Sequence, residues 1–235
     1  MKTSVLIIAH NEEKYIEKCI TSILNQNEKP DEIVLVAHNC ADKTVEISKK
    51  YPIKIIEFKG ETGIIQARLK GIENLSGDII LCIDGDSCAE KNWIEEMKKL
   101  FQKNVVLIGS YVKLSGGIFN SIGNFFNKLS CTKSNNATHW IWGPSFGFLG
   151  KDKDKIQTGF LKSIEIREKL KLSRDVDDYM LGLFIKRYGD IRITNKTYVT
   201  TNIKERGFLN EVKRSIENIQ NGLRVDKFLK NSLKN

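Results

Sequence analysis

From Val5 to Val112 the chain alternates between short unbroken apolar runs and longer stretches in which apolar residues recur three and four positions apart. Val5–Ala9 is a continuous apolar run of strand length, and Ile33–Ala37, Ile53–Phe58, Ile79–Ile83 and Val105–Val112 repeat the type. Between the first two runs, Ile16, Cys19, Ile20, Ile23 and Leu24 form a helical stripe within Glu12–Asn25. Asn11 is placed to cap that helix, and Glu12 and Glu13 suit the positive end of its dipole. Asp42 heads a second helix running through Lys50, a third spans Ile65–Leu75, and a fourth carries Trp93, Ile94, Met97, Leu100 and Phe101. The order is βαβαβαβαβ. Strands that are apolar throughout, separated by amphipathic helices, predict an α/β fold with a mostly parallel, Rossmann-like sheet flanked by helices.

Beyond Gly116 the rhythm is less regular. Phe119, Ile122, Phe125, Phe126 and Leu129 recur at roughly helical spacing, and Trp140–Leu149 is aromatic and rich in glycine. Leu161–Leu172 and Asp177–Tyr188 read as helices, 191–201 as one or two short strands, and Phe208 onward as a basic helix. No linker composition separates the two halves, so 1–235 is expected to be one domain, with 1–115 and 116–235 as its two halves.

Charge changes the picture only in the second half. Residues 1–117 carry 16 Lys+Arg against 17 Asp+Glu, a net of −1, whereas 118–235 carry 22 against 12, a net of +10. A basic half suits nucleic acid, an anionic membrane surface or an acidic substrate, and suits a solvated lysine-rich surface equally well. No nucleic-acid-binding motif accompanies the charge, which argues against a nucleic-acid partner. The five cysteines are odd in number and form no CxxC pair, the pattern of reduced thiols rather than of a disulfide framework or zinc site. The N-terminal run is too short, and too soon followed by charge, for a signal peptide, and no apolar run approaches membrane-spanning length. A cytoplasmic protein is the expectation, with peripheral contact at the inner face of the membrane as an option.

The candidate chemistry sits where the strands end. In open α/β sheets ligands bind at the carboxyl ends of the strands. The first strand ends at His10-Asn11-Glu12, the second at His38-Asn39-Cys40-Ala41-Asp42, and the fourth at Asp84-Gly85-Asp86. Residues two apart in an extended segment point the same way, so Asp84 and Asp86 can face one cation, while Gly85 leaves room for a ligand against the backbone. A hard divalent ion takes one or two carboxylates plus substrate phosphates. A turn with two solvated acids has the same spelling.

These segments resemble family 2 glycosyltransferases, which have the GT-A fold. The resemblance runs over Ser4–Glu13, Ser22–Gln26, Asp31–Val36 with Asn39–Thr44, Gly63 with Ala67-Arg68, Gly77–Asp86, Gly143–Phe148 with Gly159-Phe160, and Asp177-Asp178 ahead of Gly189. It implies an inverting transferase that moves one sugar from a nucleotide-diphosphate sugar to an acceptor hydroxyl, with Mg²⁺ or Mn²⁺ as cofactor. The first half would bind the nucleotide sugar, and the second a glycan or lipid-linked acceptor.

Residue by residue, the resemblance places Ala9, His10, Asn11 and Gly85 against the nucleotide sugar, Asn39 near the base or ribose, and Arg68 toward the base or diphosphate. Asp84 would touch the ribose or the metal, Asp86 would ligate the metal, and Asp178 would act as the base. Ala37-His38-Asn39 stands where many members carry a base-binding Asp, so base recognition is expected to differ. The acidic pair is Asp-Asp where Glu-Asp is usual. The Gln/Arg-x-x-Arg-Trp motif of processive synthases is absent. No convincing third metal ligand stands out; Thr200-Thr201-Asn202 occupies the region where one would fall.

Other readings fit single features. Asp175, Asp177 and Asp178 suit a plain helix start. Trp140, Trp142, Phe146 and Phe148 fit either a sugar-stacking platform or a strand with one buried face. Phe119, Phe125, Phe126 and the basic C-terminal helix fit a membrane contact, core packing or a homodimer contact. A non-catalytic nucleotide- or sugar-binding module of the same fold is the competing class, and the intact Asp84, Asp86 and Asp178 speak against it.

Overall fold

The computed structural model describes residues 1–60, 63–115, 141, 143–172, 177–202, 217 and 220–229. Eight strands, β1 (Thr3–Ala9), β2 (Glu32–His38), β3 (Lys54–Phe58), β4 (Ile79–Asp84), β5 (Ser87–Ala89), β6 (Val105–Ser115), β7 (Ser145–Leu149) and β8 (Asp190–Asn202), form one sheet in the order β3-β2-β1-β4-β7-β6-β8-β5. The helices are α1 (Ile16–Leu24), α2 (Thr44–Ser48), α3 (Ile64–Glu73), α4 (Trp93–Lys98), α5 (Lys153–Leu170) and α6 (Asp177–Ile185). Residues 220–229 are also helical.

The apolar runs are continuous because the central strands are covered on both faces. Every residue of β1 is buried. Leu6 and Ile8 pack with Val34, Ile80, Phe148 and Phe160 on one side of the sheet. Val5, Ile7 and Ala9 pack with Ile16, Ile20, Trp93 and Met97 on the other. Each fully buried Ile, Leu or Phe in these layers contributes about 1.5–3 kcal/mol of burial, so the layers hold the strand ends in register. That register sets Val5 beside both Ile33 and Leu81, and the carboxyl ends of β1, β2 and β4 therefore emerge side by side.

The sheet departs from a simple parallel succession at one place. β7 comes from a later segment and lies between β4 and β6, antiparallel to both. β6 thereby keeps the direction of β4, and β8 is parallel to β6. The two reversed strands are β7 and the short β5, which runs against β8. The insertion is sealed by polar contacts inside the core: Trp93 Nε1 donates to Ser145 Oγ at 2.9 Å, and the Ser110 and Ser145 hydroxyls lie 2.6 Å apart. Buried polar groups must find such partners.

Several local expectations change. Asn11 does not cap α1, which begins at Ile16; its backbone is left-handed at φ 56°, and its Oδ1 accepts the Ala41 N–H at 2.8 Å. A cap side chain bonds its own helix, whereas this one ties the loop after β1 to the loop after β2. Region 191–201, read as one or two strands, lies in the single strand β8, with an irregularity where pairing passes from Ser110↔Thr194 to Tyr111↔Tyr198. Phe146 and Phe148 are 1% and 0% exposed, so their alternation is that of a core strand and not of a sugar platform. Trp140, Trp142, Phe119, Phe125 and Phe126 lie outside the described residues, as do 203–216. No helix among the described residues is long and apolar enough to cross a membrane, and Cys19, Cys40, Cys82 and Cys88 are free thiols.

Candidate active site

The loops after β1 and β2 are knitted together by side chains. His10 is exposed, and its Nδ1 lies 2.8 Å from the His38 carbonyl. The His38 ring is buried and stacks on Phe58 with centroids 5.1 Å apart. Asn39 has a left-handed backbone at φ 49°. Its amide closes on one residue from both ends: Nδ2 donates to the Gly60 carbonyl at 3.0 Å and Oδ1 accepts the Gly60 N–H at 3.2 Å. The Asn39 side chain therefore holds the end of β3 against the end of β2, and Ala9 lies beneath as the last, buried residue of β1.

At the end of β4, Asp84, Gly85 and Asp86 turn the chain toward β5. Gly85 is needed for a reason other than ligand access. A Cβ there would lie 2.9 Å from Ala9 Cβ and 3.1 Å from the Ile8 carbonyl, and the Gly85 N–H donates to that carbonyl at 2.7 Å. Close approach to β1 is what excludes a side chain. Asp86 is held at both its ends. Its Oδ1 accepts the Ser87 hydroxyl at 3.0 Å, and its carbonyl accepts Asn202 Nδ2 at 3.0 Å and the Asn202 N–H at 3.2 Å. Asn202 Oδ1 in turn accepts the Ser115 hydroxyl at 2.8 Å. The Thr200-Thr201-Asn202 segment, in which the sequence offers no convincing third metal ligand, thus supplies a brace for the Asp86 loop.

Arg68, on α3, is 2% exposed and lies under the Asp84 loop. Its Nη1 donates to Asp177 Oδ2, and its Nη2 reaches Asp84 Oδ1 at 3.4 Å and the Gly143 carbonyl at 3.1 Å. The guanidinium stacks over Phe146 and Phe160, 5.3 and 5.9 Å from their centroids. A buried charge needs such partners. The charge is directed at the protein's own oxygens, where the resemblance would turn it toward the base or diphosphate. Burial opposes the guanidinium charge, and Asp177 and Asp84 more than offset it, so its pKa rises.

Asp178 follows Asp177 at the start of α6. Its Oδ1 accepts the Tyr179 N–H at 2.8 Å, and the Gly143 N–H also bonds its carboxylate. Gly143 thus serves Arg68 with its carbonyl and Asp178 with its N–H. Burial, then the Asp177 charge, push the Asp178 carboxyl up to about 7, against the pull of Tyr179 N–H, Arg68 and Gly143 N–H. Burial likewise lifts Asp84 to about 6; Arg68 opposes the rise, and Asp86 and Asp177 add to it. A carboxylate poised near neutral pH is suited to accept a proton, and perturbed acids gather at functional sites.

Among the described residues no group of three or more His, Cys, Asp or Glu is arranged to hold a metal ion. Asp84 and Asp86 fit the smaller protein share that Mg²⁺ or Mn²⁺ needs when phosphates complete the shell. Lysines of the second half pair locally, Lys155 with Asp152, Lys162 with Glu165 and Lys186 with Asp190, as on a solvated surface.

The model of glycosyl transferase family 2 matches residues 4–161, from the second residue of β1 through the first half of α5. The chain belongs to that family. It is 35% identical over 118 residues to an uncharacterized glycosyltransferase of Haemophilus influenzae, a match covering 47% of this chain and 36% of that protein. The chain therefore spans well under two thirds of that relative's length. Its fold is that of GT-A glycosyltransferases. A mannosyltransferase from Pyrobaculum calidifontis, solved with GDP-Man and Mn²⁺, superposes with a TM-score of 0.66 at 15% identity over 95% of this chain and 64% of that one. S. aureus TarS, solved with UDP-GlcNAc, superposes with a TM-score of 0.63 at 16% identity over 88% of this chain and 60% of that one.

Sequence patterns pointed to Asp84, Asp86, Arg68 and Asp178 one at a time. They did not reveal that Arg68 is the partner of Asp177, that Gly143 joins Arg68 to Asp178, or that Asn202 braces Asp86. The Gly143-Pro144-Ser145 stretch carries the available signal for the second of these.

Proposed function

We propose that this protein is an inverting, nucleotide-sugar-dependent glycosyltransferase that moves one sugar to the hydroxyl of a glycan or lipid-linked acceptor. The observation that carries this reading is the convergence of Asp84, at the end of β4, and Asp178, at the start of α6, on Arg68 and Gly143. Donor-side and acceptor-side acids thereby share one site. Family membership and relatives solved with GDP-Man and UDP-GlcNAc support a nucleotide sugar as donor.

In this mechanism Ala9, His10, Asn11 and Gly85 border the nucleotide, and Asn39 keeps the base-side loops closed. Asp86, with Asp84, would hold a divalent cation, which supplies Lewis-acid stabilisation of charge on the departing diphosphate. Asp178 accepts the proton of the acceptor hydroxyl as its oxygen attacks the anomeric carbon. The bond from that carbon to the diphosphate oxygen breaks in the same displacement, and the configuration inverts. Arg68 keeps Asp177 compensated, so that Asp178 has an ion-paired neighbour rather than a bare like charge.

The test is a donor screen that follows nucleotide diphosphate release, with the anomeric configuration of the product read by NMR. An inverted product from a nucleotide-diphosphate sugar is expected. A retained configuration would remove the single displacement and with it the role of Asp178.

A further inference from the structure

The residue after the proposed base makes a bond that the mechanism does not use. Tyr179 is 9% exposed, and its hydroxyl donates to Asp226 Oδ1 at 2.5 Å. Asp226 belongs to the helical segment 220–229, far along the chain and outside the region matched by the family model. That segment is firmly seated. Val225 is fully buried with Ile166, Tyr179 and Met180, and Phe228 and Leu229 pack at the edge of the same cluster. Arg224 Nη2 donates to the Leu170 carbonyl at the end of α5, and Asn221 is 3% exposed. The segment therefore bridges α5 and α6.

Successive helical residues point about 100° apart. At the start of α6, Asp177 is drawn to Arg68, Tyr179 is drawn to Asp226, and Asp178 lies between them. Two anchors on either side of one residue fix both the axial rotation and the tilt of that helical turn; one anchor alone leaves rotation about itself. A hydrogen bond from a buried phenol to a carboxylate is short and charge-assisted, the strong kind, and strongly directional.

We infer that Asp226, acting through Tyr179, is a positioning residue that aligns Asp178 with the acceptor hydroxyl, so that the C-terminal helical segment is part of the acceptor-side machinery. The inference rests on the reading of Asp178 as the base. Asp226 does not touch the reacting atoms; it acts by holding the turn that presents Asp178. Because proton transfer tolerates little misplacement, loss of the anchor should lower turnover, while the loops after β1 and β2, tied by Asn11 to Ala41 and by Asn39 to Gly60, keep the donor's affinity.

The test uses the full chain, the nucleotide sugar selected by the donor screen, and water as the acceptor, with nucleotide diphosphate release as the readout. Tyr179→Phe and Asp226→Ala should each lower kcat about ten-fold with donor KM changed less than two-fold. The double variant should be no worse than either single variant, because both remove the same bond. Asp226→Asn, which keeps an acceptor oxygen for the phenol, should recover most of the turnover. If Asp226→Ala melts early, Tyr179→Phe, which removes one atom, still decides the matter. Wild-type kcat in Tyr179→Phe alongside an inactive Asp178→Asn would overturn the positioning role and leave the base in place. Undiminished release by Asp178→Asn would instead overturn the reading of Asp178 on which this role rests.

Discussion

Arg68 and Asp177, 109 positions apart in the chain, form a buried ion pair that joins α3 to the first turn of α6. The pair connects the half of the sheet that ends in Asp84 with the helix that presents Asp178. It explains how two segments separated by so much chain build one site, and it makes Arg68 the residue on which the site's geometry most depends.

Arg68→Ala would leave Asp177 and Asp84 facing each other without a cation beneath Phe146 and Phe160. Removing one partner of a buried pair typically costs about 3–5 kcal/mol, mostly because the other charge stays behind. A loss of that size is expected in a urea melt at pH 7. Arg68→Lys should recover only part of it, since one ammonium cannot serve Asp177, Asp84 and the Gly143 carbonyl together. A melt unchanged by Arg68→Ala would show that the pair does not organise this region.

Turnover should depend on pH through Asp178. Its carboxyl is held up to about 7 by burial and by the Asp177 charge, with Arg68 and two N–H groups opposing. Below that value the group is protonated and cannot accept a proton, so kcat/KM should rise with pH across the region near 7 and then level off. The rising limb should vanish in Asp178→Asn together with the activity. A flat profile from pH 5 to 8 in the wild-type protein would contradict the assignment.

The same shift has a stability consequence of definite sign. Unfolded, the Asp178 carboxyl titrates near its ordinary 3.8; folded, it titrates at about 7. Between those values the folded state binds more protons, so this group's favourable contribution is complete below about 4 and is lost as pH rises toward 7. A neutral amide cannot lose it. Asp178→Asn should therefore be the more stable protein at pH 8, by on the order of 1 kcal/mol or about 2–4 °C in Tm, and should lose that advantage near pH 4. Scanning calorimetry at the two pH values would measure it, and an advantage larger at pH 4 would reverse the argument.

What could be read from residue order was whatever depends on neighbours in sequence. The β1 run Val5–Ala9 was legible because burial on both faces makes a strand apolar throughout. The placement of β7 was not, because its antiparallel insertion between β4 and β6 is a fact about sheet order, and no local period encodes it. Asn11 misled because an Asn ahead of an amphipathic stretch has the spelling of a cap, while its actual partner, Ala41, lies across the loops. Motif and position singled out Asp84, Asp86 and Asp178 as candidates. Their neighbours could not be read in the same way, since Arg68 and Gly143 meet these acids, and Asp226 meets Tyr179, only through tertiary packing.

The proposed glycosyl transfer depends on a divalent cation held by Asp86. Its most direct test is nucleotide diphosphate release from the selected donor, measured with and without Mn²⁺ or Mg²⁺ in the wild-type protein and in Asp86→Ala. Release is expected to require the metal, to fall away with chelator and to be abolished in Asp86→Ala. Release that proceeds equally without metal, or full activity in Asp86→Ala, would contradict it.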